Sequence, residues 1–250
     1  MNLEVILSPT LYPHRILRDN HITVAVDILR ATTSICAAFA AGAEEVVPLN
    51  SLDPLPSYHQ QGYLVAAERG GYKMPLAEAG NSPTEYLSMN LQGRRLAYST
   101  TNGTVSILAA KGARHVLVGA FSNLSALARK IVALSQAESL DVVVLCSGWK
   151  GDPSLEDTLF AGALVHRLQP HGFLPLNDAA FMSLDLWSMA QPNLRAYVQK
   201  ATHVARLEGL GASPDIDFAF RLDTCPIVPY LNGDKLVKTQ GGELKSPEGQ

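Results

Sequence analysis

Ile22-Thr23-Val24-Ala25-Val26-Asp27-Ile28-Leu29-Arg30-Ala31-Thr32-Thr33-Ser34 is the stretch on which the reading of the chain turns. Ile22 to Val26 is a short apolar run with little polar alternation. Such a run predicts a strand buried on both faces, as in a parallel sheet. It ends abruptly in Asp27. A base and three hydroxyls follow, and then an alanine-rich segment, ICAAFAA, with the composition of a buried helix. An acid and a base at the mouth of a buried strand either tie down a turn or handle a charged ligand.

The same grammar recurs outward from this stretch. Apolar runs predict strands at 4–7, 22–26, 45–49, 63–66, 95–99, 116–119 and 142–145. Helix-period segments predict helices at 33–41, 84–89, 105–110, 124–134, 155–168, 179–190, 194–200 and 203–207. Alternation of the two types predicts an α/β fold, a layered α/β/α arrangement on a mostly parallel sheet with right-handed crossovers. There is also an internal echo. ATTSICAAFAAGAEEVV from Ala31 resembles TNGTVSILAAKGARHVL from Thr101, and both share Ala-x-Gly-Ala-x-x-Val. Gly42 and Gly112 fall where a helix favours a left-handed residue to stop. The echo reads either as a duplication of βαβ units or as two units obeying the same rules. One α/β domain over 1–240 is expected, or two similar lobes meeting near 120–170, with a flexible tail at 241–250. After Gln169 the chain is richer in Pro, Asp and short helices, and GLGASPDIDFAF reads as a loop entering a strand.

Bulk properties exclude several classes. The 250 residues suffice for a large core without staples. The net charge of −3, with neither sign dominant, gives no reason to expect nucleic acid or an anionic membrane as partner. Three distant cysteines, Cys36, Cys146 and Cys225, without CxxC, fit a reducing cytoplasm better than a disulfide framework or zinc site. The first residues lack the charged region and apolar length of a signal peptide. No apolar run reaches the roughly 18 residues of a spanning helix.

In open parallel sheets, ligands gather beyond the carboxyl ends of strands. Five expected strand ends carry polar, glycine-bearing loops. Asp27, Arg30, Thr32 and Thr33 follow the first. Glu68, Arg69, Gly70 and Gly71 follow the second, and Thr100, Thr101, Asn102, Gly103 and Thr104 the third. Ser122 and Asn123 follow the fourth; Ser147, Lys150, Glu156 and Asp157 lie beyond the fifth. Some of these have structural readings. The threonines are ordinary helix caps, Ser154-x-x-Asp157 is close to a capping box, and Asn102-Gly103 is a common turn pair. Asp27 and Glu68 are harder to dismiss, because a lone carboxylate after an apolar strand is costly unless paired or metal-bound. Helix N-termini, glycines, hydroxyls and arginines together make an anion site. Carboxylates beside it would repel the anion unless a cation lies between, and Mg²⁺ suits both phosphate and carboxylate oxygens. Metal-assisted phosphoryl transfer is the inference.

Competing motifs are weak. No GxGxxG opens the first helix and no GxxxxGK[ST] occurs. Cys146 stands at a strand end, but its loop CSGWKGDPS has no arginine to cradle a phosphate. The seven histidines form no HExxH, and His203 reads as a surface or capping group.

The strings VDILRATTSI, AAERGG, GNSP, STTNGT, GAFSN, CSG and SLEDTLFAGA occur in one order over most of residues 22–166. Together they resemble the 2-phosphosulfolactate phosphatase (ComB) family, and RLEGLGASPDIDFAFRLDTCPIVP is similar to its C-terminal pattern more loosely. The resemblance implies an α/β, Mg²⁺-dependent phosphatase that converts 2-phospho-3-sulfolactate to 3-sulfolactate and phosphate. Carried onto this chain, it makes Asp27, Glu68, Glu156 and Asp157 metal and catalytic candidates. Arg30, Arg69 and Thr100 to Thr104 become anion-binding candidates. The expected arrangement has Mg²⁺ on Asp27, Asp157 and Glu68. Arg30 and the backbone of Thr101 to Gly103 hold phosphate, and Glu156 or Asp27 orients water or attacks directly. Arg69 or Lys150 holds the substrate's second anion, with Ser122, Asn123 and Ser147 further candidate substrate contacts. DILR lacks DxD, so Asp27 stands as either ligand or nucleophile. The alternatives are a phosphatase for another 2-hydroxy-acid phosphate and a non-catalytic anion- or nucleotide-binding protein. A homodimer is compatible with all of them.

Overall fold

The apolar runs do become strands, but the sheet they build has a join in it. The computed structural model describes residues 1–14 and 20–238, so the tail expected at 241–250 lies outside it. The first half of the chain gives β1 (Asn2–Ile6), β2 (His21–Val26), α1 (Ala31–Ala40), β3 (Glu45–Leu49) and α2 (Leu55–Gln60). It continues with β4 (Leu64–Arg69), β5 (Tyr72–Lys73), α3 (Pro83–Ser88), β6 (Arg95–Ser99), α4 (Gly103–Ala109) and β7 (His115–Gly119). The second half gives α5 (Leu124–Glu138), β8 (Asp141–Cys146), α6 (Leu155–Leu168), β9 (Leu174–Pro175) and α7 (Asp178–Ala190). It ends with α8 (Leu194–Tyr197), α9 (Thr202–Gly209), α10 (Ser213–Ala219) and the hairpin β10 (Pro229–Asn232) and β11 (Lys235–Lys238).

Among the described residues these strands form one sheet, ordered β5-β4-β6-β3-β11-β10-β7-β2-β8-β1-β9. It contains two parallel blocks. The first is β7-β2-β8-β1-β9 and the second β3-β6-β4. The hairpin β10–β11 joins them, pairing antiparallel with β7 on one side and β3 on the other. Three successive antiparallel steps reverse direction, so the two blocks run opposite ways. The fold class is α/β with a mostly parallel sheet flanked by helices, as the alternation predicts.

The connections differ from the expected crossovers. α1 leaves β2 in the first block and leads to β3 in the second. α4 leaves β6 in the second block and leads to β7 in the first. The two echoing segments are therefore the two links between blocks, traversed in opposite senses. α1 can serve because its residues are small and all buried from Ala31 to Phe39, the Thr32 and Thr33 hydroxyls being satisfied by backbone carbonyls. α4 packs on both β2 and β3. Its first residue meets the first residue of α1 closely, and a Cβ on Gly103 would lie 2.4 Å from the Ala31 Cβ. The carboxyl ends of β2, β4 and β6 thus open onto one cleft although they belong to opposed blocks.

Other expectations are revised. The segment at 209–220 forms α10 rather than a strand, with Pro214 and Asp215 in its first turn, both favoured there. Gly42 has the expected positive φ, 104°, whereas Gly112 closes a 3₁₀ turn without one. α6 packs tightly on α7 because Gly162 lies against the Ser183 carbonyl, where a Cβ would sit 1.9 Å from the oxygen. No helix among the described residues is long and apolar enough to cross a membrane.

Candidate active site

The cleft has a volume of about 320 Å³ and is lined by Asp27, Leu29, Arg30, Glu68, Gly70, Gly71, Asn81, Thr100 to Asn102, Trp149, Lys150, His203, Arg206 and Leu207. Asp27 lies on it directly after β2. Its Oδ1 accepts a hydrogen bond from the Ala31 N–H at 3.2 Å. Its Oδ2 faces the backbone of Gly103, where a Cβ would come within 2.8 Å. The glycine is thus required for α4 to start beside the acid. Burial pushes the Asp27 carboxyl up to about 6 from its ordinary 3.8; Glu68 and Glu156 add to the rise, and His203 and the Ala31 N–H oppose it.

Glu68, at the end of β4, is also buried. Its Oε1 accepts from the Gly71 N–H and from the Thr101 hydroxyl, the latter at 3.5 Å. Among the described residues, neither Asp27 nor Glu68 forms an ion pair with a basic side chain. Arg30 is different. Its Nη1 donates to Asp215 Oδ2 at 2.7 Å and its Nη2 to the Gly71 carbonyl at 3.1 Å. Asp215, on α10, also accepts from the hydroxyls of Ser82 and Thr84, at 2.7 and 2.6 Å. Arg30 is therefore a buried, neutralised wall of the cleft, not a free cation.

The remaining sequence candidates divide by position. Thr100, Thr101 and Asn102 line the cleft. Thr100 and Thr104 cap each other: each hydroxyl accepts from the other's N–H at 3.3 Å, and the Thr104 hydroxyl donates to the Thr100 carbonyl. The Thr32 and Thr33 hydroxyls likewise donate to the carbonyls of Asp27 and Ile28, each at 2.9 Å, so they hold the turn rather than a ligand. Asp157 sits behind the cleft wall. Its two oxygens accept from the Ile28 and Gly148 N–H groups at 2.8 and 3.0 Å, tying the loops after β2 and β8 together. Burial, then the charges of Asp27 and Glu156, raise its carboxyl well above the usual range. The expected capping box is absent; no cap hydrogen bond comes from the Ser154 side chain. Arg69 turns away, donating to the Glu68 carbonyl and the Ser99 hydroxyl at 2.7 and 2.9 Å. Ser122 and Asn123 lie outside the cleft; Asn123 spends its amide on Ala120, Val118 and Ile227. Ser147 donates to Ser106 on α4 at 2.7 Å. Cys146 is fully buried, and burial pushes its thiol well above the ordinary range, as suits a core residue.

Several lining residues escape a reading by strand ends. His203, Arg206 and Leu207 lie on one face of α9, at spacings of three and four. His203 is buried, and its Nδ1 lies 3.0 Å from Glu156 Oε1. Glu156 is thus linked to the cleft through His203, while its Oε2 has no hydrogen-bond partner among the described residues. The His203 ring stacks on Trp149 with centroids 5.7 Å apart and planes 16° from parallel. Asn81, from the GNSP string, accepts a short hydrogen bond from the Tyr98 hydroxyl. The periodicity of RLEGLG could have located α9's inner face, but nothing local tells which cleft it covers.

Among the described residues, no three His, Cys, Asp or Glu side chains converge as a metal cage. Asp27 and Glu68 remain as a two-carboxylate pair on the cleft. That donor set suits Mg²⁺, which keeps several waters and is bound through one or two carboxylates plus substrate phosphate. Asp157, with both oxygens engaged by backbone, does not belong to the pair.

Comparison with known proteins places the chain in a family. The family model described as 2-phosphosulpholactate phosphatase matches residues 6–234. A Thermosynechococcus vestitus protein named probable 2-phosphosulfolactate phosphatase is 38% identical over 223 residues, 86% of this chain and 90% of its own. One of the same name from Carboxydothermus hydrogenoformans is 34% identical over 231 residues, covering 90% and 94%. A third, from Trichormus variabilis, is 34% identical over 249 residues, covering 96% of this chain and all of its own. With a family match across nearly the whole chain and relatives of this identity over most of both lengths, the chain belongs to the 2-phosphosulpholactate phosphatase family.

Proposed function

We propose that this cleft hydrolyses 2-phospho-3-sulfolactate to 3-sulfolactate and phosphate, with Mg²⁺ held by Asp27 and Glu68. The observation that carries the reading is a pair of buried carboxylates, Asp27 and Glu68, on one small cleft that also holds the basic side chains of Lys150, His203 and Arg206. Among the described residues neither carboxylate forms an ion pair with a lysine or arginine. Unpaired buried carboxylates are costly, and a divalent cation offsets that cost. When bound, Mg²⁺ would neutralise phosphate charge and polarise the reacting phosphorus.

The chain's own groups supply the rest. Asn81 and Asn102 offer side-chain amide donors to phosphate oxygens, beside the Thr101 hydroxyl that at rest donates to Glu68. Arg30, its charge offset by Asp215, supplies a fixed wall to the cleft. Hydrolysis joins a water oxygen to phosphorus and breaks the bond from phosphorus to the ester oxygen, so one proton passes from the water to the leaving alkoxide. With Nδ1 on Glu156, His203 Nε2, at rest 3.4 Å from Arg206 Nη1, is the atom that takes the water's proton and hands it to the alkoxide. Leu29 and Leu207 limit water around these groups. A cleft of about 320 Å³ is at the small end for ligand sites and suits a three-carbon ester. Phosphate release from 2-phospho-3-sulfolactate is expected to stop in EDTA and return with Mg²⁺. Undiminished release in EDTA would remove the metal from this reading.

A further inference from the structure

A second groove, of about 560 Å³, shares no lining residue with the catalytic cleft. Arg129 on α5, His166 and Arg167 at the end of α6 and His171 just beyond it contribute four basic side chains to its lining. All four are exposed, and none has a hydrogen-bond or carboxylate partner among the described residues. No acid among the described residues lines the groove. Asp223, which bonds to the lining residue Ser125, has both oxygens engaged by that residue's N–H and hydroxyl, at 2.7 and 2.6 Å. Part of the charge has a local cause. Cations in the last turn of a helix offset its dipole, which accounts for His166 and Arg167 on α6. It does not account for Arg129, which stands in the second turn of α5, nearer the end where the dipole favours an acid.

Trp187, on α7, is a buried residue of the same lining. Its ring is held in place. It stacks on Phe121 with centroids 6.0 Å apart and planes 27° from parallel, and α6 approaches so closely that a Cβ on Gly162 would lie 2.8 Å from the Trp187 Cβ. Its indole N–H is buried and has no acceptor among the described residues. Buried indole N–H groups ordinarily find a partner, and one left without is costly. Unpaired cations and an unsatisfied donor on one groove share a single remedy, which is an oxyanion. We infer that this groove is a second binding site, for a small molecule carrying two or more phosphate or carboxylate groups. Arg129 and Arg167 stand on separate helices, and a guanidinium binds either group through two parallel hydrogen bonds. A ligand with two such groups engages both arginines at once. The volume falls within the range of small-molecule sites. A concave groove favours a compact anion over nucleic acid, whose evenly spaced phosphates call for an extended basic face.

Calorimetry in EDTA titrates the wild type with pyrophosphate, with citrate and, as a single-acid control, with acetate. Pyrophosphate or citrate is expected to bind at least about tenfold more tightly than acetate, and the tighter of the two names the phosphate or the carboxylate class. Arg129→Gln and Arg167→Gln are each expected to weaken that binding about tenfold, the lower range for one lost charge-assisted hydrogen bond. Both side chains are exposed, so both variants are expected to melt with the wild type. The chain has two tryptophans, Trp149 and Trp187. The indole N–H resonance of Trp187, identified as the one that persists in Trp149→Phe, is expected to move when the anion binds. None of these readouts involves turnover, so the site stands or falls apart from the phosphatase reading. Pyrophosphate and citrate binding no more tightly than acetate overturns the inference. So does binding that both arginine variants keep within about twofold, and so does a shift confined to the Trp149 indole, which places the anion in the catalytic cleft. Binding of a DNA duplex in place of both small anions overturns it as well.

Discussion

Asp27→Asn should inactivate the protein and, in the absence of metal, stabilise it. Asp27 is buried, and its carboxyl is pushed up to about 6, with burial the largest cause. In the unfolded chain it titrates near 3.8. Below that value both states hold the proton and ionisation costs nothing. As pH rises from about 4 through about 6, the unfolded chain ionises first and stability falls. Each tenfold in the ionisation constant is about 1.4 kcal/mol, so the rise from 3.8 to about 6 costs the folded protein about 3 kcal/mol above pH 7. Asparagine keeps the oxygen that accepts from Ala31 N–H and has no proton to lose. For a chain of this size 1 kcal/mol moves Tm by about 2–4 °C, so the variant should melt about 6–12 °C higher at pH 8 in EDTA. The gain should shrink towards zero near pH 4. Saturating Mg²⁺ should raise the wild type more than the variant, which keeps only Glu68 of the two carboxylates. Calorimetric or fluorescence melts at pH 4 and pH 8 decide the matter. A variant less stable than wild type at pH 8 in EDTA, or a gain equal at both pH values, would refute the argument from burial.

Two further perturbations probe the frame of the cleft. Gly103→Ala places a methyl 2.4 Å from the Ala31 Cβ and 2.8 Å from Asp27 Oδ2. A shift of about 1 Å in a reacting group costs on the order of 100-fold in rate, so steady-state phosphate release should fall at least that much while circular dichroism stays native. Asp215→Ala strands the buried Arg30 guanidinium and removes the acceptor shared by Ser82 and Thr84. Breaking a buried ion pair from one side typically costs about 3–5 kcal/mol, and urea unfolding should register a loss of that order.

Seven of the eleven strands and most helices were legible because apolar runs and helix-period segments are local signals; β5, β9 and the hairpin β10–β11 were not read. The direction of the sheet was not legible either. It is decided by the hairpin at 229–238, whose eight paired residues carry no sign of lying between two blocks. That join is also why α1 and α4 link opposed blocks instead of making ordinary crossovers. In the site, Asp27, Glu68 and the Thr100–Asn102 turn were legible from one rule, that polar loops after buried strands gather ligands, and the structure brings them to one cleft. The rule also selected Asn123, Ser147 and Asp157, whose polar groups are consumed by local hydrogen bonds. A string of residues does not reveal whether a hydroxyl or carboxylate has already been claimed by its neighbours. His203 and Arg206 were passed over for the opposite reason. They come from a helix that follows β8 by more than fifty residues, and only tertiary packing sets them against Glu156 and Trp149.

The central claim is that Asp27 and Glu68 on this cleft carry hydrolysis of 2-phospho-3-sulfolactate. Its most direct test is inorganic phosphate release from that ester in Mg²⁺ by wild type, Asp27→Asn and Glu68→Gln, each confirmed as folded. The account predicts turnover by wild type and, in each variant, a loss of at least about 100-fold, the lower range for removing an electrostatic contributor. Near-wild-type release by either folded variant would contradict it.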